Sequence, residues 1–356
     1  TGWLTQGPFV KEFERNFAEM HETKHALATT SCTTALHLML AASGIGPGDE
    51  VIVPSFTWIS TANAVLYCGA TPVFVDIDLD TYNISLAETL KKITSRTKAV
   101  LVVDLFGLCV DIEEFREQIS PNILILEDAA CAAGASLKGH MAGSLSDAAA
   151  FSFHPRKSIT TGEGGMLVTN NPQLHSSAEK MRNHGAEVSE EERHRGAAPY
   201  LLPEFNLLGF NYRMTDLQGA IGVEQLKKLK RFIVERDAQA DYFHQQLSEI
   251  EWLCLPSKPK HGVHAWQAFV TRINHLGGSQ FRNNVMAHLE KAGISTRPGT
   301  HAIHLLGFYA KKFKLKPQDL PNSLVANDTT MAIPLHNRIT RQDQDRIIET
   351  LREVKN

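Results

Sequence analysis

Between residues 26 and 126 the chain alternates short apolar runs with segments of helical periodicity, and no other feature restricts its fold as strongly. The runs predict five strands, at 26–30, 51–53, 72–75, 100–103 and 123–126, and the segments between them predict helices at 33–42, 57–68, 86–93 and 112–119. Such alternation predicts an α/β fold in which a mostly parallel sheet carries helices on its faces. Sheets of this kind bind ligands at the carboxyl ends of their strands.

The second half of the chain predicts a change of architecture. Two more buried strands are predicted at 148–153 and 166–169, followed by a helix at 172–183 and a mobile surface loop at 187–203. An apolar stripe over 215–247 predicts a long helix or a broken pair, whose stripe is either a dimer face or part of the core. Beyond about residue 249 strand and helix signals are mixed. We therefore expect a large domain over residues 1–235 and a small C-terminal α+β domain over residues 236–356.

The composition excludes several classes of protein. Hydrophobic residues make up 43% and charged residues 21% of the 356 residues, which is ordinary for a soluble globular enzyme. A net charge of -3 without a basic block argues against nucleic-acid binding, and the absence of a long apolar run argues against a membrane span. The five cysteines match no zinc or disulfide spacing, so we expect no metal site and a location in the reducing cytoplasm.

One lysine stands out as a candidate reactive group. Lys157 follows the predicted strand 148–153 and precedes a glycine-rich turn, in the run Phe151-Ser-Phe-His-Pro-Arg-Lys157-Ser-Ile-Thr-Thr-Gly-Glu-Gly-Gly165. A lone lysine in a loop is most often a solvated charge. Here, however, the residue lies on a turn between two buried strands, where glycines allow a ligand to approach the backbone closely. A lysine in an apolar pocket can lose its proton and attack a carbonyl group.

A carboxylate is predicted at the same edge of the sheet. Asp128 follows the buried run 123–126, and its alternative role is to cap a following helix. An aspartate near a pyridine ring can keep the ring nitrogen protonated. A reactive lysine and such an aspartate are the minimum equipment for pyridoxal phosphate (PLP) chemistry.

The segment Thr29-Thr-Ser-Cys-Thr-Thr34 runs from a predicted strand into the start of a helix. A helix N-terminus offers free N–H groups and the positive end of a dipole to a phosphate. Simple capping by one threonine would explain one hydroxyl of this segment but not the whole cluster.

Five motifs together resemble one known family. They are Gly2-Trp-Leu-Thr-Gln-Gly7, Pro54-Ser-Phe-Thr-Trp58, Glu127-Asp128-Ala-Ala, the Lys157 segment and Asn211-Tyr-Arg-Met-Thr-Asp216. In sequence and order they resemble motifs of the DegT/DnrJ/EryC1/StrS family of PLP-dependent nucleotide-sugar aminotransferases, and the match spans roughly the whole chain. The resemblance implies an aspartate-aminotransferase-like fold (PLP fold type I), and a short segment ahead of Gly2.

The resemblance also implies roles for individual residues. Thr33, Thr34 and Ser152 would contact the cofactor phosphate. Trp58, which could otherwise be a core aromatic, would stack on the pyridine ring. Asp128 would pair with the ring nitrogen, and Lys157 would hold the cofactor covalently and later act as the proton carrier.

Three further positions matter for the resemblance: two differ from the family pattern and one matches it. Cys131 stands where the family has Gln or His, so a weak hydrogen-bond donor faces the cofactor. Cys32 stands where a glycine or another small residue is usual. Asn211 resembles the asparagine that reaches the phosphate of the neighbouring subunit's cofactor, which implies a homodimer with shared active sites.

The implied reaction moves an amino group from an amino acid, with L-glutamate the expected donor, to a keto nucleotide sugar. The full form of the Lys157 segment resembles members that act on 4-keto-6-deoxy sugars for surface-polysaccharide, glycan or antibiotic-sugar biosynthesis. A 3-keto-sugar or cyclitol aminotransferase and a non-enzymatic regulatory protein of the same fold remain as alternatives. A dehydratase branch that replaces the lysine with histidine is disfavoured by Lys157. The nucleotide, UDP, dTDP or GDP, is left open.

Overall fold

A seven-stranded sheet forms the centre of the computed structural model, which describes residues 3–187, 202 and 204–354. Its strands are β1 (His25–Thr29), β2 (Glu50–Pro54), β4 (Thr71–Val75), β5 (Thr97–Val103), β6 (Leu124–Asp128), β9 (Ala148–Ser152) and β10 (Gly165–Thr169). They are arranged in the order β1-β10-β9-β6-β5-β2-β4. The four pairs from β9 to β4 are parallel, whereas β10 pairs antiparallel with both β9 and β1. The predicted mostly parallel α/β sheet is confirmed.

Short strands complete the described part of the chain. They are β3 (Phe56–Thr57), β7 (Ser136–Leu137), β8 (His140–Met141), β11 (Leu253–Cys254), β12 (Gly262–Val263), β13 (Phe269–Ile273), β14 (His301–Ala302) and β15 (Thr330–Ile333). β11, β13 and β15 form the antiparallel sheet of the C-terminal part. β14 pairs with β3, and this pairing joins the C-terminal part to the edge of the main sheet where its strands end.

The helices of the first half are α1 (Pro8–Met20), α2 (Cys32–Ala42), α3 (Ser60–Tyr67), α4 (Leu86–Lys92), α5 (Ile112–Gln118) and α6 (Pro172–Arg182). Those of the second half are α7 (Asp216–Leu247), α8 (Gly278–Lys291), α9 (Gly307–Phe313), α10 (Pro321–Thr329) and α11 (Arg341–Arg352). Residues 215–247 therefore form one continuous helix and not a broken pair. None of the helices within the described ranges is both long and apolar enough to cross a membrane.

Helices pack on both faces of the sheet because each face is apolar. On one face, α2, α3 and α6 cover a core that includes Leu36, Leu38 and Leu101. On the other face, α1 and the first half of α7 cover Phe13, Phe17 and other buried residues. The second half of α7 packs in a separate core with β13, β15 and α11. The boundary expected at residues 235/236 thus falls inside α7, and the division of the chain into two domains stays a prediction.

Two predictions concern residues outside the described ranges. The predicted loop at 187–203 lies outside them apart from residues 187 and 202, and Gly2 of the first motif also lies outside them.

Candidate active site

A pocket of about 560 Å³ opens at the carboxyl ends of β5, β6 and β9. Its walls come from the start of α2, the β3 segment, the loop between β9 and β10, and residues 297–301 of the C-terminal part. Six of the predicted site residues line it: Thr33, Trp58, Asp128, Cys131, Ser152 and Lys157. The topology explains the convergence, because parallel strands deliver all their carboxyl ends to one edge of the sheet.

The start of α2 forms one wall of the pocket. Ser31 caps the helix by accepting a hydrogen bond from the Thr34 N–H at 3.2 Å, and the Thr34 hydroxyl donates to the Ser31 carbonyl oxygen at 2.8 Å. Thr34 is thereby used inside the cap and does not line the pocket, whereas Ser31 and Thr33 do. The Thr33 hydroxyl donates to Ser60 Oγ at 3.0 Å. Ser31, Thr33 and Ser60 all line the pocket near the start of α2, which is the positive end of the helix dipole.

Gly165 allows α2 to approach the sheet closely. A Cβ atom at this position would lie 2.6 Å from the Cys32 amide nitrogen and closer still to the Ser31 carbonyl oxygen. Gly165 is the register partner of Ser152, so it also fixes the helix start relative to the Ser152 hydroxyl, which lines the pocket. Gly165 therefore has a steric role, because it makes room for the start of α2, in addition to the turn flexibility that the sequence suggests.

Trp58 offers an aromatic surface to the pocket. Its side chain is 56% exposed, so it is not the core aromatic of the alternative reading. The pairing of β14 with β3 brings His301 to Trp58, with ring centroids 5.8 Å apart and an angle of 42° between the planes. A planar ligand could stack on the free part of the indole ring.

The Asp128 carboxylate is held at the end of β6 in a fixed orientation. Its Oδ2 accepts a hydrogen bond from the Thr61 hydroxyl at 2.7 Å, and its Oδ1 accepts one from the Ala130 N–H at 3.2 Å. Burial raises the pKa of Asp128, while Thr61, Ala130 and the positive charge of Lys157 oppose the rise. Residues 129–131 do not begin a helix, so Asp128 does not have the alternative role of a helix cap.

Lys157 lies in a more polar environment than the sequence suggests. Its Nζ donates to Cys131 Sγ at 3.1 Å. Burial by itself lowers the pKa of Lys157, but Cys131, Cys32 and Asp128 together outweigh it, and the pKa is raised above its ordinary value. Two cysteines and a carboxylate surround the amine, so the cofactor-free site is not a purely apolar pocket in which burial alone acts on the lysine.

Asn211 lies away from this pocket. It is exposed and forms an isolated antiparallel bridge with Asn183, whose side chain accepts a hydrogen bond from Arg213 at 2.8 Å. Asn211 is not among the residues that line the pocket of Lys157 and Asp128.

Several pocket residues were missed by sequence reasoning. Arg156 and Arg297 line the pocket, and neither guanidinium has a hydrogen-bond or carboxylate partner among the described residues. Gln267 donates from Nε2 to the Arg156 carbonyl oxygen at 3.0 Å and so fixes the peptide ahead of Lys157. Arg297 and Gln267 could not be placed because they come from the distant C-terminal part. Ser31 and Arg156 are sequence neighbours of Thr33 and Lys157, and their position beside these predicted site residues could have identified them.

No three His, Cys, Asp or Glu side chains converge as a metal site in residues 3–187, 202 and 204–354.

Comparison with known proteins identifies relatives along the whole length of the chain. The profile of the DegT/DnrJ/EryC1/StrS aminotransferase family matches residues 1–352. GDP-perosamine synthase of Caulobacter vibrioides is 40% identical, over 99% of this chain and 92% of that protein. The spore coat polysaccharide biosynthesis protein SpsC of Bacillus subtilis is 36% identical, over 99% of this chain and 91% of that protein.

Solved structures agree with the sequence comparison. The sugar aminotransferase Spr1654 of Streptococcus pneumoniae, described as putative, superposes in its PMP form with a TM-score of 0.91 and 27% identity. Its PLP form superposes with a TM-score of 0.89 and 28% identity, and both matches cover 99% of this chain and 92% of that one.

Proposed function

This chain belongs to the DegT/DnrJ/EryC1/StrS aminotransferase family, and from this premise we propose that it transfers the amino group of L-glutamate to C4 of a 4-keto-6-deoxy nucleotide sugar. It is a PLP-dependent sugar aminotransferase of the aspartate-aminotransferase-like fold. The donor, the position of the keto group and the sugar are our proposal.

The pocket residues suit the phosphate, the ring and the ring nitrogen of PLP. Ser31, Thr33 and Ser152 would hold the phosphate at the start of α2, where hydroxyl groups and the helix dipole favour an anion. Thr34 would contribute through the helix cap that it completes. The half-exposed Trp58 would stack on the ring, and the carboxylate of Asp128 would accept a hydrogen bond from the protonated ring nitrogen. When bound, PLP supplies an electron sink for the pair of electrons left on the donor's α-carbon.

Lys157 has two proposed roles. Its amine would hold the cofactor aldehyde covalently and, once released by the donor, would move a proton between the donor's α-carbon and the C4′ position of the cofactor. General acid–base catalysis of this kind contributes about 10²–10⁴-fold. The single observation that carries the proposal is the meeting of Lys157 Nζ, the Asp128 carboxylate and the Trp58 ring in one pocket at the strand ends.

Cys131 would lie beside the covalent link, since its thiol contacts Lys157 Nζ. Because a thiol is a weak hydrogen-bond donor, we propose that it leaves room near the cofactor and does not replace the Gln or His of the family.

Two arginines support an anionic nucleotide-linked substrate. Arg156, from the loop between β9 and β10, and Arg297, from the C-terminal part, both line the pocket. Burial and the positive charge of Arg156 lower the pKa of Arg297. Two guanidinium groups without a carboxylate partner suit the diphosphate of a nucleotide sugar. The similarity to GDP-perosamine synthase puts GDP-linked keto sugars first among the substrates to test.

We further propose a homodimer with shared sites. Asn211 is exposed and outside its own pocket, as a residue that reaches a partner's cofactor would be. Leu4, Phe9, Leu217 and Ile221 also lie exposed where α1 crosses the start of α7, and exposed apolar patches mark protein contacts. The product would serve surface-polysaccharide or related glycan biosynthesis, which the similarity to SpsC supports.

The proposed function is tested by incubating the purified protein with PLP, glutamate and a panel of nucleotide sugars. The panel contains GDP-, UDP- and dTDP-linked 4-keto-6-deoxy sugars, 3-keto sugars and a ketocyclitol, and the product is followed by mass and by its position of amination. Amination of a 4-keto substrate alone supports the proposal. Selective turnover of a 3-keto sugar or the ketocyclitol would replace it with the corresponding alternative.

A further inference from the structure

Two buried carboxyl groups lie directly behind Asp128. Asp104 follows the end of β5 and is 0% exposed, and Glu127 is the last residue but one of β6 and is 2% exposed. The Asp104 N–H donates to the Asp128 carbonyl oxygen at 3.1 Å, so all three carboxyl-bearing residues belong to one small segment of adjacent strand ends. The proposed reaction gives Asp104 and Glu127 no role.

Each of the two carboxyl groups is satisfied on one oxygen only. Asp104 Oδ1 accepts the Val110 N–H at 2.8 Å, and Glu127 Oε1 accepts the Gly143 N–H at 2.8 Å. Asp104 Oδ2 and Glu127 Oε2 are buried without a hydrogen-bond partner of their own, and the Ser146 hydroxyl is the other polar group beside the Glu127 carboxyl. The two side chains face each other within hydrogen-bonding reach.

Their surroundings supply no compensating positive charge. Among the described residues, neither carboxyl forms an ion pair with a lysine, arginine or histidine. Cys109 packs beside them from the loop after β5, and burial together with these carboxyl groups raises the pKa of its thiol. Lys138 and His140 share a small cavity with Glu127, but the Lys138 ammonium pairs with Asp111 at 2.6 Å. Asp111 and Glu113 line the same small cavity, and Asp128 is adjacent in the strand, so these further charged neighbours are all carboxylates.

Two buried carboxylates in contact cannot both remain ionised without a cation, whereas a carboxylic acid can donate to a carboxylate. We propose that Asp104 and Glu127 share one proton and act as a single fixed negative charge behind Asp128, which raises the proton affinity of a base bound to that aspartate. They are positioning residues, because they act on the bound ring nitrogen only through Asp128. This step rests on the proposed role of Asp128.

The directions of the pKa shifts agree with a shared proton. Burial raises the pKa of Asp104, and the charge of Glu127 raises it further. Burial also raises the pKa of Glu127, while the hydrogen bond from Asp104 opposes the rise.

Three variants test whether Asp104 and Glu127 together carry a single negative charge. Asp104→Asn and Glu127→Gln each leave one carboxylate hydrogen-bonded to an amide, so each keeps a single negative charge in nearly the same shape. The double variant Asp104→Asn/Glu127→Gln keeps the shape and removes the charge. In the PLP-loaded protein, the pH titration of the cofactor's visible absorption should keep its midpoint in both single variants. It should shift to lower pH by about one unit in the double variant.

The cofactor-free protein gives an independent test, which separates failure of this inference from failure of the proposed function. At neutral pH the infrared carbonyl stretch of a protonated carboxyl group should be present in the unaltered protein and lost in both single variants. In addition, a carboxyl whose folded-state pKa is raised contributes stability at low pH that is lost as pH rises. The free energy of unfolding of Asp104→Asn should therefore improve relative to the unaltered protein between about pH 4 and pH 7.

Two results would overturn the inference. One is survival of the infrared band of the protonated carboxyl group in both single variants. This measurement requires only that the single variants fold. The other is a double variant whose absorption titrates at the midpoint of the unaltered protein, or single variants that shift as far as the double one.

Discussion

At the scale of single residues, a substitution of Asp128 separates an effect on the chemistry from an effect on folding most clearly. The two oxygens of Asp128 accept separate hydrogen bonds from Thr61 and Ala130, and an amide has one oxygen and can keep only one of them. A neutral amide also cannot stabilise the positive charge of the protonated ring nitrogen. We predict that Asp128→Asn folds and binds PLP but loses turnover by about 10²–10³-fold, as when a preorganised electrostatic partner is removed. Circular dichroism and cofactor absorption provide the control for folding and loading. Turnover equal to that of the unaltered protein would remove Asp128 from its role.

Cys131 should affect cofactor capture more than turnover. The pKa of Lys157 is raised in the cofactor-free site by Cys131, Cys32 and Asp128 against the lowering effect of burial, so the amine is protonated at neutral pH and captures an aldehyde slowly. Removing the thiol in Cys131→Ala lowers that pKa, and we predict faster covalent loading at pH 7 with turnover retained. Stopped-flow absorption measures the loading rate as a function of pH.

The contrary result for Cys131 is equally clear. A folded, PLP-loaded Cys131→Ala protein without any turnover would make the thiol part of the chemistry. Cys131→Gln, which restores a strong hydrogen-bond donor, serves as the companion variant and should bind PLP more tightly.

The candidate residues could be found from sequence where they sit in contiguous motifs, and they could not be found elsewhere. Lys157, Asp128 and Trp58 stand in such motifs, and the structure brings them into one pocket. Thr61, which orients Asp128, lies in a helix with no distinctive pattern. Arg297 lies in the C-terminal part, which the pairing of β14 with β3 between His301 and Thr57 brings to the site. The charge state of Lys157 depends on three-dimensional neighbours that the sequence does not bring together.

At the scale of elements, the contact between α2 and β10 holds the proposed phosphate site together. Gly165 lets the helix start lie against the strand, and a Cβ would collide with the backbone of Ser31 and Cys32. We predict that Gly165→Ala weakens PLP binding and lowers stability by about 1–3 kcal/mol, the usual cost of overpacking. Fluorescence titration with PLP and thermal unfolding measure the two effects.

Gly307→Ala is the matched control for this variant. Gly307 begins α9, and a Cβ there meets nothing within 4 Å. Gly307→Ala should bind PLP normally, and its unfolding temperature should equal or slightly exceed that of the unaltered protein. Normal PLP affinity in Gly165→Ala would place the phosphate elsewhere.

Elements of regular periodicity were predictable, and short pairings were not. The strand–helix alternation predicted β1, β2, β4, β5 and β6 with boundaries within a few residues, because buried strands are continuous apolar runs. β3 and β14 have two residues each, too few for a periodic signal, although their pairing carries His301 to Trp58. Such pairings depend on contacts between distant segments.

At the scale of the whole molecule, the proposed homodimer has a test that depends on shared sites. We predict sedimentation at twice the 39.4 kDa chain mass. We also predict that Lys157→Ala and Asn211→Ala, each impaired alone, complement each other when mixed through unfolding and refolding. In a mixed dimer one site combines the intact Lys157 of one subunit with the intact Asn211 of the other. A monomer with full activity, or mixtures with no more activity than their components, would reject shared sites.

The division into domains depends on the same long helix. Leu229 and Ile233 of α7 pack in the core of the large sheet, whereas Ala240 and Phe243 pack in the C-terminal core. The predicted boundary at 235/236 lies between these groups, within a continuous helix that no sequence signal interrupts.

The central claim is that Lys157 holds the cofactor and carries the proton, and borohydride reduction of the PLP-loaded protein tests it most directly. Peptide mapping should find the reduced cofactor on a single peptide, the one that contains Lys157. Lys157→Ala should still bind PLP through its other contacts but take up no covalent label, and its transamination should fall by at least about 10²–10⁴-fold. Label on another lysine, or near-normal turnover in Lys157→Ala, would contradict the account.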